Sequence, residues 1–365
     1  MATNDIRNVR FSRREALGLI GASAGLALFP DLLAQGRRQI AFLKGAVIRT
    51  LFKDIPPEMM SGPILFHEHL SIDLPPNLNP RPADAPPLPP PQPAPTSNLD
   101  LIVEEVKVAA KDGVVCIVDG GHPDMNRKLE NLKAIGNRTG MLIVASGGYY
   151  MERTYPPDLA TKSEDEIAEA LARETIAQRL GAFGEIGENA DAPMSALERK
   201  VFRAIGKAHL RTNLPIFTHN AYGTGPNVPK DAGLRQLDAL ESVGVKPERV
   251  VIGHSCCLGD PDAAVITAVA KRGAFVGFDR VTGGRVPDDK KIVSLLKFLD
   301  AGYAGKLLLS SDMTGARSLD VPGYGKTLTV FVPKLRAAGV KDETIHEILV
   351  DNPRRFLAFV PRKLA

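Results

Sequence analysis

Eight short, largely apolar runs punctuate this chain, and they constrain its fold more than any other feature. They are Pro63–Phe66, Val114–Val118, Met141–Ala145, Ala182–Ile186, Pro215–Thr218, Arg249–Gly253, Ala274–Phe278 and Lys306–Ser310. A strand with one wet face alternates apolar and polar residues. Runs that stay apolar belong to strands buried on both faces, as in a parallel sheet covered by helices. Amphipathic stretches separate the runs: Leu99, Ile102, Val103, Val106 and Ala110 recur at helical spacing, as do Ile292, Leu295, Leu296 and Leu299. Eight strand–helix units in one chain predict an α/β fold, a closed (β/α)8 TIM barrel preceded by short N-terminal strands. An open doubly wound sheet is the alternative, but no glycine-rich phosphate loop follows the first strand.

Composition narrows the class. Of 365 residues 44% are apolar and 24% charged, so the chain is neither disordered nor fibrous. A net charge of +4 and the absence of tryptophan argue against a nucleic-acid groove or a base-stacking platform. Three cysteines cannot make a disulfide scaffold. Cys116 lies in an apolar run and Cys256 and Cys257 are adjacent, so buried free thiols are expected, with a bond from Cys116 to either left open.

The first 35 residues read as an address. Arg13-Arg14 precede an apolar, Gly- and Ala-rich run from Ala16 to Phe29, too short to span a bilayer comfortably. This pattern resembles a twin-arginine export signal, and a periplasmic mature protein is the expectation. Leu32-Leu33-Ala34 is a poor cleavage site, so a retained anchor stays open, as does a buried helix. Residues 36–365 then form the barrel domain. Between Pro75 and Pro95, 11 of 21 residues are proline, which excludes a regular helix or central strand. This insertion follows the first strand, on what would be the catalytic rim.

Histidines and acids collect at the strand ends. His67 and His69 end the first run, Glu185 stands on the fourth, His219 and His254 end the fifth and sixth, and Asp312 the eighth. In a barrel these ends converge on one mouth. His67 and His69, two apart, project to one side, and Glu68 points away. Four imidazoles and two carboxylates exceed the needs of one tetrahedral ion. They suit two divalent ions sharing a bridging carboxylate, with a bridging hydroxide as nucleophile. Zinc fits such ligands, as do manganese, cobalt and iron.

His67-Glu68-His69, Gly184-Glu185-Ile186-Gly187, Thr218-His219, Gly253-His254 and Ser311-Asp312, in this order, resemble the phosphotriesterase family of the amidohydrolase superfamily. The resemblance extends from about Gly45 to Phe359 and includes Pro322-Gly323-Tyr324-Gly325, Phe331-Val332-Pro333 and Asn352-Pro353-Arg354-Arg355-Phe356. It implies that His67, His69 and Asp312 hold a buried metal ion, and His219 and His254 a more exposed one. In the best-known members a carboxylated lysine bridges the two. No lysine occupies the fourth strand here, which resembles the branch of phosphotriesterase homology proteins, where a glutamate bridges. Glu185 is that glutamate, with Glu188 as the competing candidate.

The implied reaction is hydrolysis of an ester bond in a small molecule: a lactone, a carboxylic ester or a phosphotriester. Asp312 would act as catalytic base. Tyr149, Arg280 and His122 fall on the rim as substrate-binding candidates; Arg280 would hold either an anionic substrate group or a neighbouring carboxylate such as Asp279. His209 and His346, on helices, read as structural. Hydrolysis of an amide or cyclic amide is the second reading, and an exported metal-bearing binding protein the third. No nucleic-acid partner and no membrane span in the mature chain are expected, and a homodimer is the oligomeric form considered.

Overall fold

The computed structural model describes residues 40–74, 92–189, 193–220, 230–284, 286–317 and 323–362. The expected leader, and the proline-rich segment over 75–91, lie outside the described residues. Pro95 itself opens a single 3-10 turn, Pro95–Ser97. Among the described residues no helix is long and apolar enough to cross a membrane.

Two short strands, β1 (Ile48–Arg49) and β2 (Asp54–Ile55), pair antiparallel ahead of the main body. Eight parallel strands follow: β3 (Ile64–Glu68), β4 (Cys116–Asp119), β5 (Leu142–Gly147), β6 (Ala182–Gly187), β7 (Ile216–His219), β8 (Val250–Ile252), β9 (Phe275–Phe278) and β10 (Leu307–Leu309). Each pairs with its sequence neighbour, from β3 through to β10. The ring closes between its first and last members. Asp312 N–H donates to the His67 carbonyl at 3.2 Å, and His69 N–H to the Met313 carbonyl at 2.9 Å. The Glu68 carboxylate adds four more bonds across the seam, from the Ser311 and Met313 amides and the Ser310 and Ser311 hydroxyls, at 2.7–2.8 Å.

The continuous apolar runs now have their explanation. Phe66, Cys116, Val118, Val144, Ala182, Phe217, Val251 and Leu308 fill the barrel interior. Their neighbours Leu65, Ile117, Ile143, Phe183, Ile216, Ile252 and Leu309 face outward into the layer beneath the helices. Both faces are therefore dry, and period-2 geometry splits one apolar run between two cores.

The helices between strands include α1 (Leu99–Lys111), α2 (Leu129–Thr139), α3 (Glu164–Ala177), α4 (Ala196–Thr212), α5 (Ala232–Glu241), α6 (Ala264–Lys271) and α7 (Asp288–Asp300). α3 and α4 each start with a reciprocal Ser–Glu cap, Ser163 with Glu166 and Ser195 with Glu198, which satisfies amides that have no partner within the helix. The C-terminal motif closes the floor. Asn352 Nδ2 donates to the Ala304 and Leu307 carbonyls at 2.8 and 2.7 Å, and Phe356 enters the interior core.

Candidate metal centre

The pleat of β3 turns His67 and His69 into the barrel mouth and Glu68 out to the seam. Glu185 reaches the same space from β6. It follows Gly184, whose φ is +147 and where a Cβ would stand 2.3 Å from the Phe217 ring. His219 ends β7. His254 follows β8 in left-handed backbone at φ +52, and Asp312 follows β10 at φ +47. Gly253 allows the first of these turns, because a Cβ there would lie 2.0 Å from the Thr218 carbonyl oxygen.

One carboxylate meets all four imidazoles. Glu185 Oε1 is 3.1 Å from His69 Nε2. Its Oε2 is 2.8 Å from His219 Nδ1, 3.3 Å from His67 Nε2 and 3.5 Å from His254 Nε2. Asp312 Oδ1 lies 3.2 Å from His69 Nε2 and 3.8 Å from His67 Nε2. Its Oδ2 lies 3.8 Å from His254 Nε2. Among the described residues two ligand groups are joined at Glu185, His67–His69–Glu185–Asp312 and Glu185–His219–His254, and a third, His67–His254–Asp279, shares their histidines.

Asp279, placed by sequence only as a neighbour of Arg280, sits behind both groups. Its Oδ2 is 2.8 Å from His67 Nδ1 and its Oδ1 3.0 Å from His254 Nδ1. It also accepts the His254 amide at 2.7 Å. The position was readable: it directly follows the seventh strand, as His254 and Asp312 follow theirs at nearly the same depth. With Nδ1 engaged by a carboxylate, each ring is left to present Nε2 to the centre, the arrangement that orients metal-bound histidines.

The electrostatics suit cations. Three carboxylates converge here, Glu185 and Asp279 buried and Asp312 partly exposed. Arg280 contacts the last of them, with Nε 3.3 Å from Asp312 Oδ2. Burial opposes a proton on His67, but Glu185 and Asp279 outweigh it and carry its pKa up to about 9. Burial likewise opposes one on His69, and Asp312 with Glu185 raises it to about 10. Burial pushes Asp279 up, yet His254 and His67 hold it down at about 2. His219 goes the other way: burial and the neighbouring His254 lower it to about 4. Buried like charges call for compensating positive charge. The Nε2 atom of His67 is buried without a hydrogen-bond partner. The donor set, its convergence and this orphan nitrogen fit divalent metal ions.

The structure places the other candidates differently. His122 is fully buried, and both ring nitrogens are taken: Nδ1 faces Asp124 Oδ1 at 2.5 Å and Nε2 the Glu185 carbonyl at 2.9 Å. It braces the backbone of Glu185 and has no ring nitrogen left for a substrate. Tyr149 points back toward the outer core, edge-on to Tyr155 at 6.1 Å. Tyr150 faces the centre instead, its ring 4.9 Å from that of His219 and its hydroxyl 3.3 Å from Nδ1. Both tyrosines lie beyond the end of β5, after Gly148 at φ +125, where the strand's pleat no longer sets which side chain faces inward. The carboxylate that Arg280 meets is Asp312, not Asp279. Glu188 stands 3.6 Å from Arg235, is pushed up to about 8 by burial, and joins neither ligand group. His209 Nδ1 meets the Leu214 carbonyl at 2.6 Å, and His346 lies 3.7 Å from Asp351, both away from the mouth. Sequence reasoning gave no role to Tyr324, whose buried hydroxyl donates to the His69 carbonyl at 2.8 Å and ties the last loop to a ligand strand.

A barrel with this ligand constellation at its C-terminal rim defines a class of metal-dependent hydrolase. The chain belongs to the phosphotriesterase family, which it matches over residues 55–357. It is 31% identical over 314 residues to the phosphotriesterase homology protein of Escherichia coli (strain K12), covering 81% of this chain and 98% of that protein. A crystal structure of that protein, with phosphate in its active site, superposes with a TM-score of 0.69 at 28% identity, covering 82% of this chain and 99% of the other. The chain is also 31% identical to the aryldialkylphosphatase of Saccharolobus solfataricus, covering 70% of this chain and 84% of that one. It is 26% identical to the N-acetyltaurine hydrolase of Danio rerio, covering 72% and 78%.

Proposed function

We propose that this hydrolase holds two divalent metal ions and cleaves an ester bond in a small molecule: a lactone, a carboxylic ester or a phosphotriester. The observation that carries the reading is the placement of Glu185, one carboxylate within 3.5 Å of four imidazoles. A glutamate there gives the same single negative charge as a carboxylated lysine. Its shorter side chain must be compensated by the position of the backbone. His67, His69 and Asp312 would hold one ion, His219 and His254 the other, with zinc, manganese, cobalt or iron all compatible with the donors.

Bound there, the pair of ions would supply a water activated for attack near neutral pH and a Lewis acid for the substrate oxygen. The residues do the rest. Asp279 holds His67 and His254 in register. Asp312 Oδ2, turned to the mouth beside Arg280, accepts the proton that the attacking water gives up. Arg280, its side chain 27% exposed, is placed to orient an anionic or strongly polar substituent on the substrate. Tyr150 walls the side next to His219.

An amide is the second reading, and the likeness to an N-acetyltaurine hydrolase favours it specifically. Amide cleavage needs a proton for the departing amine, so its rate should also fall on the alkaline side, where the acid that supplies that proton is lost. The deciding experiment is elemental mass spectrometry of the purified protein, followed by a panel of lactones, aryl esters, phosphotriesters and N-acyl amines. About two ions per chain with ester turnover supports the proposal. One ion or none after reconstitution overturns the bridging role of Glu185. Metal-loaded protein that turns over amides alone assigns the second reading. Binding without turnover would assign a capture role. We further propose that residues 1–35 direct twin-arginine export to the periplasm and that residues 36–365 are the working domain, with a homodimer as the form to test by light scattering.

A further inference from the structure

We propose that Cys256 and Cys257 are an oxidation site: a dithiol that peroxide converts to a disulfide between neighbours, with His254 as the residue that feels it. The two sulfurs lie 3.7 Å apart in a buried turn, Ser255–Cys257, directly after His254. Cys116 belongs to the barrel interior and these two to the outer core, so the sheet separates it from both. Of the three thiols, the adjacent pair is therefore the one within reach of each other.

The turn that carries the thiols also sets the histidine. Cys257 N–H donates to the His254 carbonyl at 2.9 Å, and Ser255 Oγ to the Ile252 carbonyl at 2.8 Å. The left-handed backbone of His254 is held between this turn and Asp279. Above it passes the loop after β9, where a Cβ on Gly284 would be 3.7 Å from Cys257 Sγ.

The chemistry balances. One thiol sulfur attacks a peroxide oxygen, giving a sulfenic acid and water; the second sulfur then displaces a second water. Two sulfurs lose two electrons, hydrogen peroxide gains them, and two protons leave in the waters. Closure must bring the sulfurs to about 2.05 Å, across Cα atoms about 3.8 Å apart where disulfides usually span roughly 4.4–6.8 Å. The bond is therefore strained and readily reduced, the property of a switch rather than a staple. The strain falls on the Cys257–His254 contact.

The test is treatment of the metal-loaded protein with hydrogen peroxide at a small molar excess, then denaturation, alkylation and peptide mass mapping. Alkylatable cysteines are expected to fall from three to one. The peptide holding both residues should be lighter by two hydrogen atoms, and dithiothreitol should restore it. Three free thiols, a bond to Cys116, or stable sulfinic acid in place of the bond would overturn the site. Its coupling to His254 rests on the proposed metal centre and is read separately, as release of metal to a chelator. The oxidised protein should release metal roughly tenfold faster or more. Cys256→Ser should load metal normally and show no peroxide effect. Unchanged release from fully oxidised protein would overturn the coupling while leaving the disulfide standing.

Discussion

Asp279 Oδ2 lies 2.8 Å from His67 Nδ1 across a sequence separation of 212 residues. The same carboxylate takes the ring and the amide of His254. One side chain, itself outside the bridged ligand group, thus aligns a histidine from each half of the centre. Replacing Asp279 by Asn keeps the volume but removes the charge and one acceptor. Metal affinity should drop roughly 10–100-fold, as for other carboxylates that orient metal-bound histidines. Competition against a chelator measures this directly, and unchanged affinity would show that the two rings hold their positions without it.

Asp312 has a different signature. Asp312→Asn retains a ligand oxygen but cannot take a proton. Turnover of the best ester should fall about 10²–10⁴-fold, the range for losing a general base, while most of the metal stays bound. A variant with full activity would remove Asp312 from the proton's path.

Glu68 is a stability residue, despite standing between two candidate ligands. It accepts four hydrogen bonds where the first and last barrel strands meet. Glu68→Leu strips acceptors from two buried amides and two hydroxyls. Each orphaned group costs about 1–3 kcal/mol, so the variant should lose at least about 2–4 kcal/mol in urea denaturation. A loss below about 0.5 kcal/mol would mean that the strand backbones close the barrel unaided.

The metal-free protein should weaken in alkali. His67 and His69 have folded-state pKa values of about 9 and about 10, above their ordinary 6.5. The folded chain then binds protons that the unfolded chain has released. Their contribution is complete below pH 6.5 and disappears as pH rises through 9 and 10. Denaturation midpoints of metal-free protein should therefore fall between neutral pH and pH 10. Metal displaces those protons, so the loaded protein should lose this dependence. Parallel slopes for the two forms would separate the histidines from the metal.

Much of this was legible beforehand. The eight strands lie within a residue or two of the apolar runs, because double-sided burial leaves an unmistakable composition. His67, His69, Glu185, His219, His254 and Asp312 announced themselves by falling at strand ends, and a parallel barrel gathers such ends at one rim. The tyrosines were harder. Tyr149 and Tyr150 are identical as letters, and the choice between them turns on the course of the chain after β5 ends at Gly147. His122 looked like a rim residue; only packing revealed that Glu185 and Asp124 occupy both its nitrogens.

What the chain's order of residues determined was periodicity and placement: which segments are dry on both faces, and which polar side chains stand at their ends. Those follow from local geometry, two residues per pleat and 3.6 per turn, and need no distant partner. What only the tertiary structure decided was partnership. Asp279 belongs to His67 and His254, and Arg280 to Asp312, because a closed barrel gathers all its strand ends at one rim; Glu68 belongs to Ser310, Ser311 and Met313 because ring closure brings the first strand against the last. Hydrogen bonds and ion pairs act over a few ångströms of space, and separation along the chain does not encode which residues come within that distance.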